Sequence, residues 1–564
     1  MSDDFPPHQR SWIGLIIVLG VAVILCLCVI AFLASGQQDI FKRTSSNPLP
    51  AGTIAPAVAV DAGAEPPLEE SSATEQPPVG ATTWSVRLPD AYTALIRYPV
   101  VFEYATAEPQ LPSVQPGQAI LVTFRPNLSN PLNAWCAETD ALKHLQELPG
   151  QYSIDPERIY LVTTGLPGLA FATRHASHFC GLLLQLTEDL VPSSWDTLPL
   201  GNLNNLPVVL DTSRNPHPDP AVQDLERALA AATGCRPHAP LHPLAPNAPL
   251  LPQLLSQLTL DAPSRHDHLS WQTDLLATGE AWWLRAEEIA TPGQPASFDA
   301  EYLHGNAVAM AQITITTQNL NAFAIRRTWK DFAKVRTFIL TVDGQRVNLL
   351  IRPNTPEWCV IWKHDNGWQP TTPPHDRPRK TIACEGPLVR ALQEPHVIVW
   401  GSADPDTAPL WKKSANNLAS RWQELTQQSA ETLSDQEFIS QGVTGMHLIL
   451  LGSPRENLVT NGLLDTHPDF LRQIYQQDSL SANVFTPDVE EETSLCCLTL
   501  FPADYYTPGK LALVVLADSP EFIEKSWQPL FSPQALQCDF LLFHPDETVP
   551  RASGWCNSAW EVDD

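Results

Sequence analysis

Apolar residues are distributed along this chain in three different patterns, the first of which is an unbroken run. Residues 12–34 contain 23 residues without a charged side chain. An α-helix of this length, at about 1.5 Å per residue, crosses a hydrocarbon core of about 30 Å. The run is far longer than the ~7–15 apolar residues of a cleaved signal peptide. The pattern therefore predicts an uncleaved transmembrane anchor behind a short N-terminal tail, residues 1–11.

Residues 35–83 predict a linker. Between residues 46 and 80 the chain has seven prolines and no aromatic residue. This composition buries too little apolar surface to offset the entropy of ordering, so we expect an extended spacer. Arg10 lies before the anchor and Lys42 with Arg43 after it, so flanking charge leaves the orientation nearly balanced. We expect a short inner tail and the bulk of the chain outside the cytoplasm, because of this spacer and of the family resemblance given below.

Between residues 84 and 255, short apolar runs alternate with helical stretches. The predicted strands are residues 85–92, 98–104, 119–124, 152–162, 180–184 and 207–210, and the predicted helices are residues 139–148, a stretch from about residue 169, and residues 220–233. Strands that alternate with helices at this spacing predict a mostly parallel sheet covered on both faces.

From about residue 263 the apolar positions alternate with period two. The alternation covers residues 264–273, 280–285, 309–317 and 337–342, the last followed by a predicted turn at Asp343-Gly344. This pattern predicts a half-buried antiparallel sheet in a small β-rich domain, residues 262–370.

Residues 380–564 return to alternating strands and helices and predict a second α/β domain. Strands are expected at residues 396–400, 446–451, 511–515 and 540–543, with a helix near residues 416–428. Cys496 and Cys497 lie in an apolar run. Adjacent side chains of a strand face opposite sides, so we expect these two cysteines to be packing residues.

The charge composition argues against nucleic acid as a partner. With 62 acidic and 34 basic side chains the formal charge is -28, which would repel nucleic-acid phosphates and excludes nucleic acid as the expected partner. Of the eleven cysteines, Cys26 and Cys28 lie in the anchor, and nine remain. An odd number with irregular spacing fits no closed disulfide framework.

Several motifs in residues 84–255 carry a family resemblance. The resemblance rests on Leu88-Pro-Asp-Ala-Tyr92, Tyr98-Pro-Val-Val-Phe102, Ile154-Asp-Pro-Glu-Arg-Ile-Tyr-Leu161 and the Pro207-Val-Val strand with its helix. Together they resemble α/β-hydrolases of the prolyl-oligopeptidase-like and dienelactone-hydrolase-like kind, in particular the large bacterial secreted members. More loosely, the resemblance extends over residues 85–564. It implies a Gly-x-Ser-x-Gly elbow after the strand that ends near Val162, with the nucleophile presented above the sheet.

The sequence departs from that family at the nucleophile, the oxyanion loop and the acid, and His238 and His242, where the family's histidine is expected, lack the usual context. The elbow reads Val162-Thr-Thr-Gly-Leu-Pro-Gly168, so Gly165 stands where the serine is expected. Tyr104-Ala105 replaces the His-Gly of the oxyanion loop, and Arg214-Asn215 falls where the acid is expected. Because glycine offers no nucleophile, the resemblance implies a retained fold whose catalysis has decayed.

A displaced catalytic set is the alternative interpretation. Thr164 would serve as nucleophile, Asp211 or Asp219 as acid, and His217, His238 or His242 as base. Against it, a nucleophile that leaves the apex of the elbow loses the reach of the oxyanion donors.

No cofactor or metal site is expected. His266-Asp-His268 offers too few ligands, and the pairs Cys359 with His364 and His375 with Cys384 lack the spacing of a zinc ribbon or finger. Gly401-Ser and Gly452-Ser follow predicted strands. Neither belongs to a Gly-x-x-x-x-Gly-Lys-Ser/Thr or a Gly-x-Gly-x-x-Gly motif, the two patterns typical of nucleotide binding.

The sequence predicts a single-pass, extracytoplasmic pseudo-hydrolase that binds or scaffolds an unidentified protein or small molecule at the cell envelope. Two alternatives stay open: an esterase or peptidase with the displaced set, and a carbohydrate or peptide binder that uses the β-rich domain.

Overall fold

A computed structural model describes most of the chain after the predicted linker. The described residues are 82–89, 92–105, 119–128, 131–186, 195–211, 220–232, 267–303, 310–371, 379–463, 495–547 and 549–560. All of them belong to one compact unit, Gln76–Asp564. In these residues no helix is long and apolar enough to span a membrane. The anchor predicted at residues 12–34 lies outside them.

The first sheet has six strands among the described residues. They are β1 (Thr83–Arg87), β2 (Tyr98–Tyr104), β3 (Ile120–Arg125), β4 (Ile154–Thr164), β5 (Gly181–Gln185) and β6 (Val208–Asp211), in the order β1-β3-β2-β4-β5-β6. Only β1 is antiparallel to its neighbour in this sheet. β2 is buried along its whole length, as expected of a strand covered on both faces.

Three helices accompany this sheet: α1 (Pro131–Gln151), α2 (Gly165–His175) and α3 (Pro220–Ala232). The prediction for α1 was too short at its start. Pro131 is the first helical residue, a position where proline costs nothing because its missing N–H would have no partner in the helix.

The β-rich region contains two five-stranded sheets, so the expectation of one antiparallel sheet was wrong. The strands are β7 (His268–Thr273), β8 (Glu280–Ala281), β9 (Leu284–Ile289), β10 (Ala296–Leu303), β11 (Met310–Gln318), β12 (Leu320–Arg326), β13 (Thr337–Val342), β14 (Gln345–Leu350), β15 (Trp358–His364) and β16 (Gly367–Gln369). The orders are β14-β13-β11-β10-β7 and β16-β15-β12-β9-β8, and β11 pairs with β13 in parallel. Both sheets contribute their buried side chains to one core.

The last sheet mixes parallel and antiparallel strands. It consists of β17 (His396–Trp400), β18 (Glu431–Ser434), β19 (His447–Leu451), β20 (Cys496–Pro502), β21 (Leu511–Ala517), β22 (Phe540–Phe543) and β23 (Ala552–Gly554), with helices α4 (Arg390–Gln393), α5 (Ala408–Thr426), α6 (Asp435–Gln441) and α7 (Leu458–Leu463). The order is β18-β17-β19-β21-β20-β22-β23, and the first four of these strands are parallel. Cys496 and Cys497 belong to core clusters on opposite faces of this sheet, as predicted.

Glu385 joins the β-rich region to the last sheet. Its two carboxylate oxygens accept hydrogen bonds from the backbone N–H groups of Leu276 (2.8 Å) and Ala277 (2.5 Å). Burial raises the pKa of Glu385 to about 7, although Arg390 and these two donors act to lower it.

This carboxyl group gives stability an unusual dependence on pH. Because its pKa is near 7 in the folded state and near 4.5 in the unfolded state, the folded state binds more protons between these values. The contribution of Glu385 to the free energy of unfolding is therefore expected to fall as pH rises from 4.5 to 7, by about 1.4 kcal/mol per pKa unit at most. Urea unfolding at several pH values should show this decline in wild type and not in Glu385→Gln. Parallel curves for the two proteins would contradict it.

Candidate functional site

The first sheet changes winding direction between β2 and β4. The chain passes from β2 to β3 on one side and then returns across β2 to β4 on the other. In open α/β sheets ligands bind outside the carboxyl ends of the strands at such a switch point. Here those ends are Tyr104-Ala105 and Thr164-Gly165, so the topology places the elbow predicted from the sequence at the expected ligand crevice.

β4 passes into α2 without an intervening loop. Thr164 is extended, with φ −128° and ψ 139°, and Gly165 is already the first residue of the helix, with φ +64°. A positive φ is costly for residues other than glycine, and a sharp strand-to-helix turn of this kind presents the nucleophile in serine hydrolases. The turn is therefore present, and the residue at its apex has no side chain.

Gly168 allows the helix to approach the strand end closely. A Cβ atom on Gly168 would lie 1.8 Å from the hydroxyl oxygen of Thr163. Thr163 donates a hydrogen bond to the carbonyl oxygen of Tyr104 (3.0 Å), which ties the ends of β2 and β4 together. The close contact between α2 and β4 therefore requires glycine at position 168 of the helix.

Aromatic rings occupy the space beside the turn. The Tyr104 ring is almost fully buried, with 1% of its surface exposed, and stacks on Phe171 of α2 at 4.3 Å between ring centroids. Its other neighbour is Phe124 of β3, at 5.9 Å. Burial raises the pKa of the Tyr104 phenol, and nearby Glu138 adds to the effect, so the ring is neutral at ordinary pH. Tyr104 thus acts as a packing residue where the family resemblance implies an oxyanion loop.

The displaced catalytic set is described only in part. Thr164, Gln185 and Asp211 form one row across β4, β5 and β6. The outer two are separated by two strand spacings, about 9.5 Å, so an acid at Asp211 needs an intervening base to act on Thr164. The side chain of Asp211 and all of Asp219, His217, His238 and His242 lie outside the described residues.

Several ionisable groups on the helices and strand ends around the first sheet are paired or kept neutral by burial. Glu138 of α1 accepts hydrogen bonds from Arg174 (Nε to Oε2, 3.1 Å) and contacts His175 Nε2 (3.4 Å). Burial acts to raise the pKa of Glu138, but Arg174 and His175 outweigh it and hold the pKa at about 2. His175 is ten residues from Gly165, about 15 Å along the helix axis, too far to activate a group at the turn. Burial also raises the pKa of the Cys136 and Cys180 thiols to about 12, so neither is a thiolate.

The last sheet has a second switch point, between β17 and β19, which sequence reasoning did not identify as a site. Ser402, after β17, donates its backbone N–H (3.2 Å) and its hydroxyl to the fully buried carboxylate of Asp435. The other oxygen of Asp435 accepts from the Leu458 N–H at 2.8 Å. A Cβ on Gly401 would lie 2.5 Å from the Glu456 carbonyl oxygen, because the loops after the two strands touch. The loops that follow β17 and β19 therefore meet at this crevice.

A sequence signal for this network does exist. Ser434 and Glu437 form a capping box at the start of α6, and Asp435 lies between them. The Ser-x-x-Glu pattern after an apolar strand marks the helix start, but it does not reveal that Asp435 turns toward Ser402.

The described residues among those considered as zinc ligands do not form a cluster. The thiol of Cys359 contacts the Pro356 carbonyl oxygen (3.7 Å), whereas that of Cys384 contacts the Lys510 carbonyl oxygen (3.3 Å). His268 is hydrogen-bonded to Asp299 (3.1 Å), and His266 and His375 lie outside the described residues. Within the part of the chain that the structure describes, no group of three or more metal-ligating side chains forms, and all eight cysteines are free thiols.

Comparison with known proteins finds solved structures that resemble part of this chain. The sequence matches no protein-family model and no curated protein. A thermostable esterase is matched over 27% of this chain and 48% of its own length, with 14% identity and a TM-score of 0.21. The AtxE2 isopeptidase is matched over 28% of this chain and 33% of its own, with 13% identity and a TM-score of 0.23. Esterase 2 of the planctomycete Thermogutta terrifontis is matched over 32% of this chain and 86% of its own, with 13% identity and a TM-score of 0.22.

This chain thus spans about half the length of the first of these enzymes and a third of the second. Likenesses of this extent say nothing about activity. The strands and helices of the chain themselves define an α/β protein whose first sheet has a sharp strand-to-helix turn at Gly165.

Proposed function

We propose that this protein is a hydrolase-like protein without hydrolase activity, anchored in a membrane through residues 12–34. The bulk of the chain lies outside the cytoplasm, at the periplasmic or outer surface, and serves to bind or scaffold a partner. The observation that carries the proposal is the glycine at the apex of the strand-to-helix turn, where the chemistry needs a nucleophile.

Two further observations support a silent site, that is, a turn at Gly165 without catalytic activity. The Tyr104 ring is packed against Phe171 beside the turn, which leaves less room for a substrate carbonyl at the switch point. The two described thiols between residues 82 and 232, Cys136 and Cys180, are protonated and offer no substitute nucleophile. A fold kept without its nucleophile retains shape and surface, which are the properties that binding needs.

An active enzyme with a displaced nucleophile is the second candidate. The observation in its favour is the row that Thr164, Gln185 and Asp211 form at the carboxyl edge of the sheet. One of His217, His238 and His242 would have to bridge the outer two. Thr164 lies before the apex, however, where the strand backbone rather than the turn directs its hydroxyl.

One assay distinguishes the inactive protein from the enzyme with a displaced nucleophile. Fragment 76–564 is expected to show no labelling by a fluorophosphonate probe and no p-nitrophenyl ester hydrolysis above that of a Thr164→Ala control. Gly165→Ser tests whether a nucleophile alone restores activity. Because the acid and the oxyanion loop are also changed, we expect this variant to stay inactive as well. Labelling that Thr164→Ala abolishes would overturn the silent-site proposal and support the displaced set.

A carbohydrate or peptide binder is a third candidate, supported by a groove in the β-rich region. It has a volume of about 560 Å³ and is lined by Gln272, Gln294, Pro295, Ser297, Gln318 and Asn319. Amide side chains both donate and accept hydrogen bonds, as sugar hydroxyls and peptide groups require. Glycan or peptide binding that Gln272→Ala with Gln318→Ala abolishes would support this use, and unchanged binding would exclude the groove.

A further inference from the structure

Positive charge is concentrated in one short stretch of this acidic chain. Residues 326–352 contain seven Lys and Arg side chains and two Asp, whereas the whole chain carries a formal charge of -28. The stretch runs from the end of β12 through β13 and β14. It forms a local region that attracts anions in a protein that otherwise repels them.

Five exposed cations in or beside this stretch have no carboxylate partner among the described residues. They are Arg97, Lys334, Arg336, Arg346 and Arg352. Lys330 and Arg158, by contrast, pair with Glu157 (3.8 Å) and Asp155 (2.7 Å). Unpaired surface cations keep their full charge available for an external anion.

Large apolar side chains are exposed beside these cations. Leu95 and Ile96 occupy the tip of the turn before β2 and are 94% and 55% exposed. Met310 and Leu350 lie in one row on either side of Thr337 in β13, and they are 41% and 57% exposed. Exposed apolar residues of this size at turn tips and strand ends are costly in water unless something covers them.

Contacts connect the turn before β2 to Lys330. Arg158 donates a hydrogen bond to the Arg97 carbonyl oxygen (3.3 Å), and its neighbour Glu157 pairs with Lys330. Six residues after Lys330, the Arg336 carbonyl oxygen accepts from the Ile351 N–H (2.8 Å), next to Leu350. We call these exposed residues together the basic–apolar face and define it by Leu95, Ile96, Arg97, Met310, Lys330, Lys334, Arg336, Leu350 and Arg352.

From this juxtaposition we infer that the basic–apolar face is a second membrane-contact site, which docks on anionic phospholipid independently of the segment at residues 12–34. Lys and Arg side chains are drawn to anionic headgroups, while leucine, isoleucine and methionine side chains enter the boundary with the acyl chains. Trp329, whose ring lies 5.9 Å from the Lys330 ammonium, adds an aromatic side chain of the type found at membrane interfaces. Turn tips that carry one or two large apolar side chains suit insertion into lipid better than a flat protein interface.

The test uses fragment 76–564, the compact unit that holds all described residues, so that the apolar segment does not contribute. Co-sedimentation with phosphatidylcholine vesicles that contain phosphatidylglycerol should retain the fragment, and pure phosphatidylcholine vesicles should not. Raised salt should release it, because exposed charges are screened. Lys334→Glu with Arg336→Glu should lower the partition coefficient about tenfold or more, and Leu95→Ser with Ile96→Ser should lower it as well.

Matched controls come from the other end of the chain. Lys413 and Arg421 are exposed cations on α5, and Val549 is a 69% exposed apolar residue. Lys413→Glu with Arg421→Glu, and Val549→Ser, should leave vesicle binding unchanged, with all variants melting as wild type does.

Three outcomes would overturn the inference. They are equal binding to neutral and anionic vesicles, equal losses in face and control variants, and no vesicle binding together with capture of a poly-glutamate peptide by the face. The last outcome would reassign the face to an acidic protein segment. None of these results bears on the esterase assay, so the silent-site proposal stands or falls separately.

Discussion

Replacing Gly168 with alanine is expected to destabilise fragment 76–564 by about 3 kcal/mol, because the added methyl group overpacks the contact between α2 and β4. The Cβ atom would lie 1.8 Å from the Thr163 hydroxyl oxygen and 2.9 Å from its methyl carbon. Thr163 cannot rotate away freely, since it is buried and its hydroxyl is bonded to the Tyr104 carbonyl oxygen. Relief therefore requires movement of the helix or of the end of β4.

Urea unfolding followed by circular dichroism measures the change, and Gly150→Ala is the matched control. Gly150 lies near the end of α1, and a Cβ there meets nothing within 4 Å. Alanine at Gly150 is expected to be neutral or stabilising by up to about 1 kcal/mol. Equal effects at the two glycines would contradict the close approach of α2 to β4.

A double-mutant cycle identifies the partner. Thr163→Gly removes the atoms that clash, so the loss caused by Gly168→Ala should shrink by about 2 kcal/mol in the Thr163→Gly background. An unchanged loss would assign the effect of Gly168→Ala to the helix itself.

Replacing Lys380 with methionine is expected to cost about 3–5 kcal/mol, because it leaves a buried carboxylate without its cation. The Lys380 ammonium donates hydrogen bonds to Asp539 and to the Cys556 carbonyl oxygen (2.5 Å). Asp539 is fully buried, and its other hydrogen bond comes from the Cys556 N–H (3.0 Å). The rings of Trp555 and Trp560 lie 5.8 and 5.2 Å from the ammonium and keep water away from the pair.

The exposed pair Lys525–Asp546 provides the comparison. Its side chains are 44% and 60% exposed, so Lys525→Met should cost less than about 1 kcal/mol. Lys380→Met with Asp539→Leu should recover part of the loss, since a fully apolar replacement leaves no buried charge. If Lys380→Met and Lys525→Met lowered the free energy of unfolding by similar amounts, the buried pair would contribute less to stability than its burial implies.

Local sequence was sufficient where an element is apolar throughout or marked by a turn. The strands β13, β17 and β22 have the bounds that the pattern predicts, and the Asp343-Gly344 turn joins β13 to β14 with positive φ at both residues. Helix starts were less well predicted. α5 begins at Ala408 rather than near residue 416, and the proline in its first turn marks that start.

Long-range pairing could not be predicted in the same way. Period-two alternation shows that a strand has one buried face, but it does not say which strand lies beside it. The division of the β-rich region into two sheets depends on β12 leaving the sheet of β11 and on β13 returning to it in parallel. Pairing of this kind is set by the tertiary core that both sheets share.

The sequence by itself determined which chemistry the elbow lacks. A glycine at residue 165 has no nucleophile in any fold, and its spacing from the preceding apolar strand marks the turn. Only the tertiary structure decided what surrounds that turn. Tyr104 stacks on Phe171, and the turn that carries Leu95 is linked to Lys330 through Arg158 and Glu157, because residues far apart in the chain pack together. Covalent identity is local, whereas burial and surface neighbourhood arise only when distant elements meet.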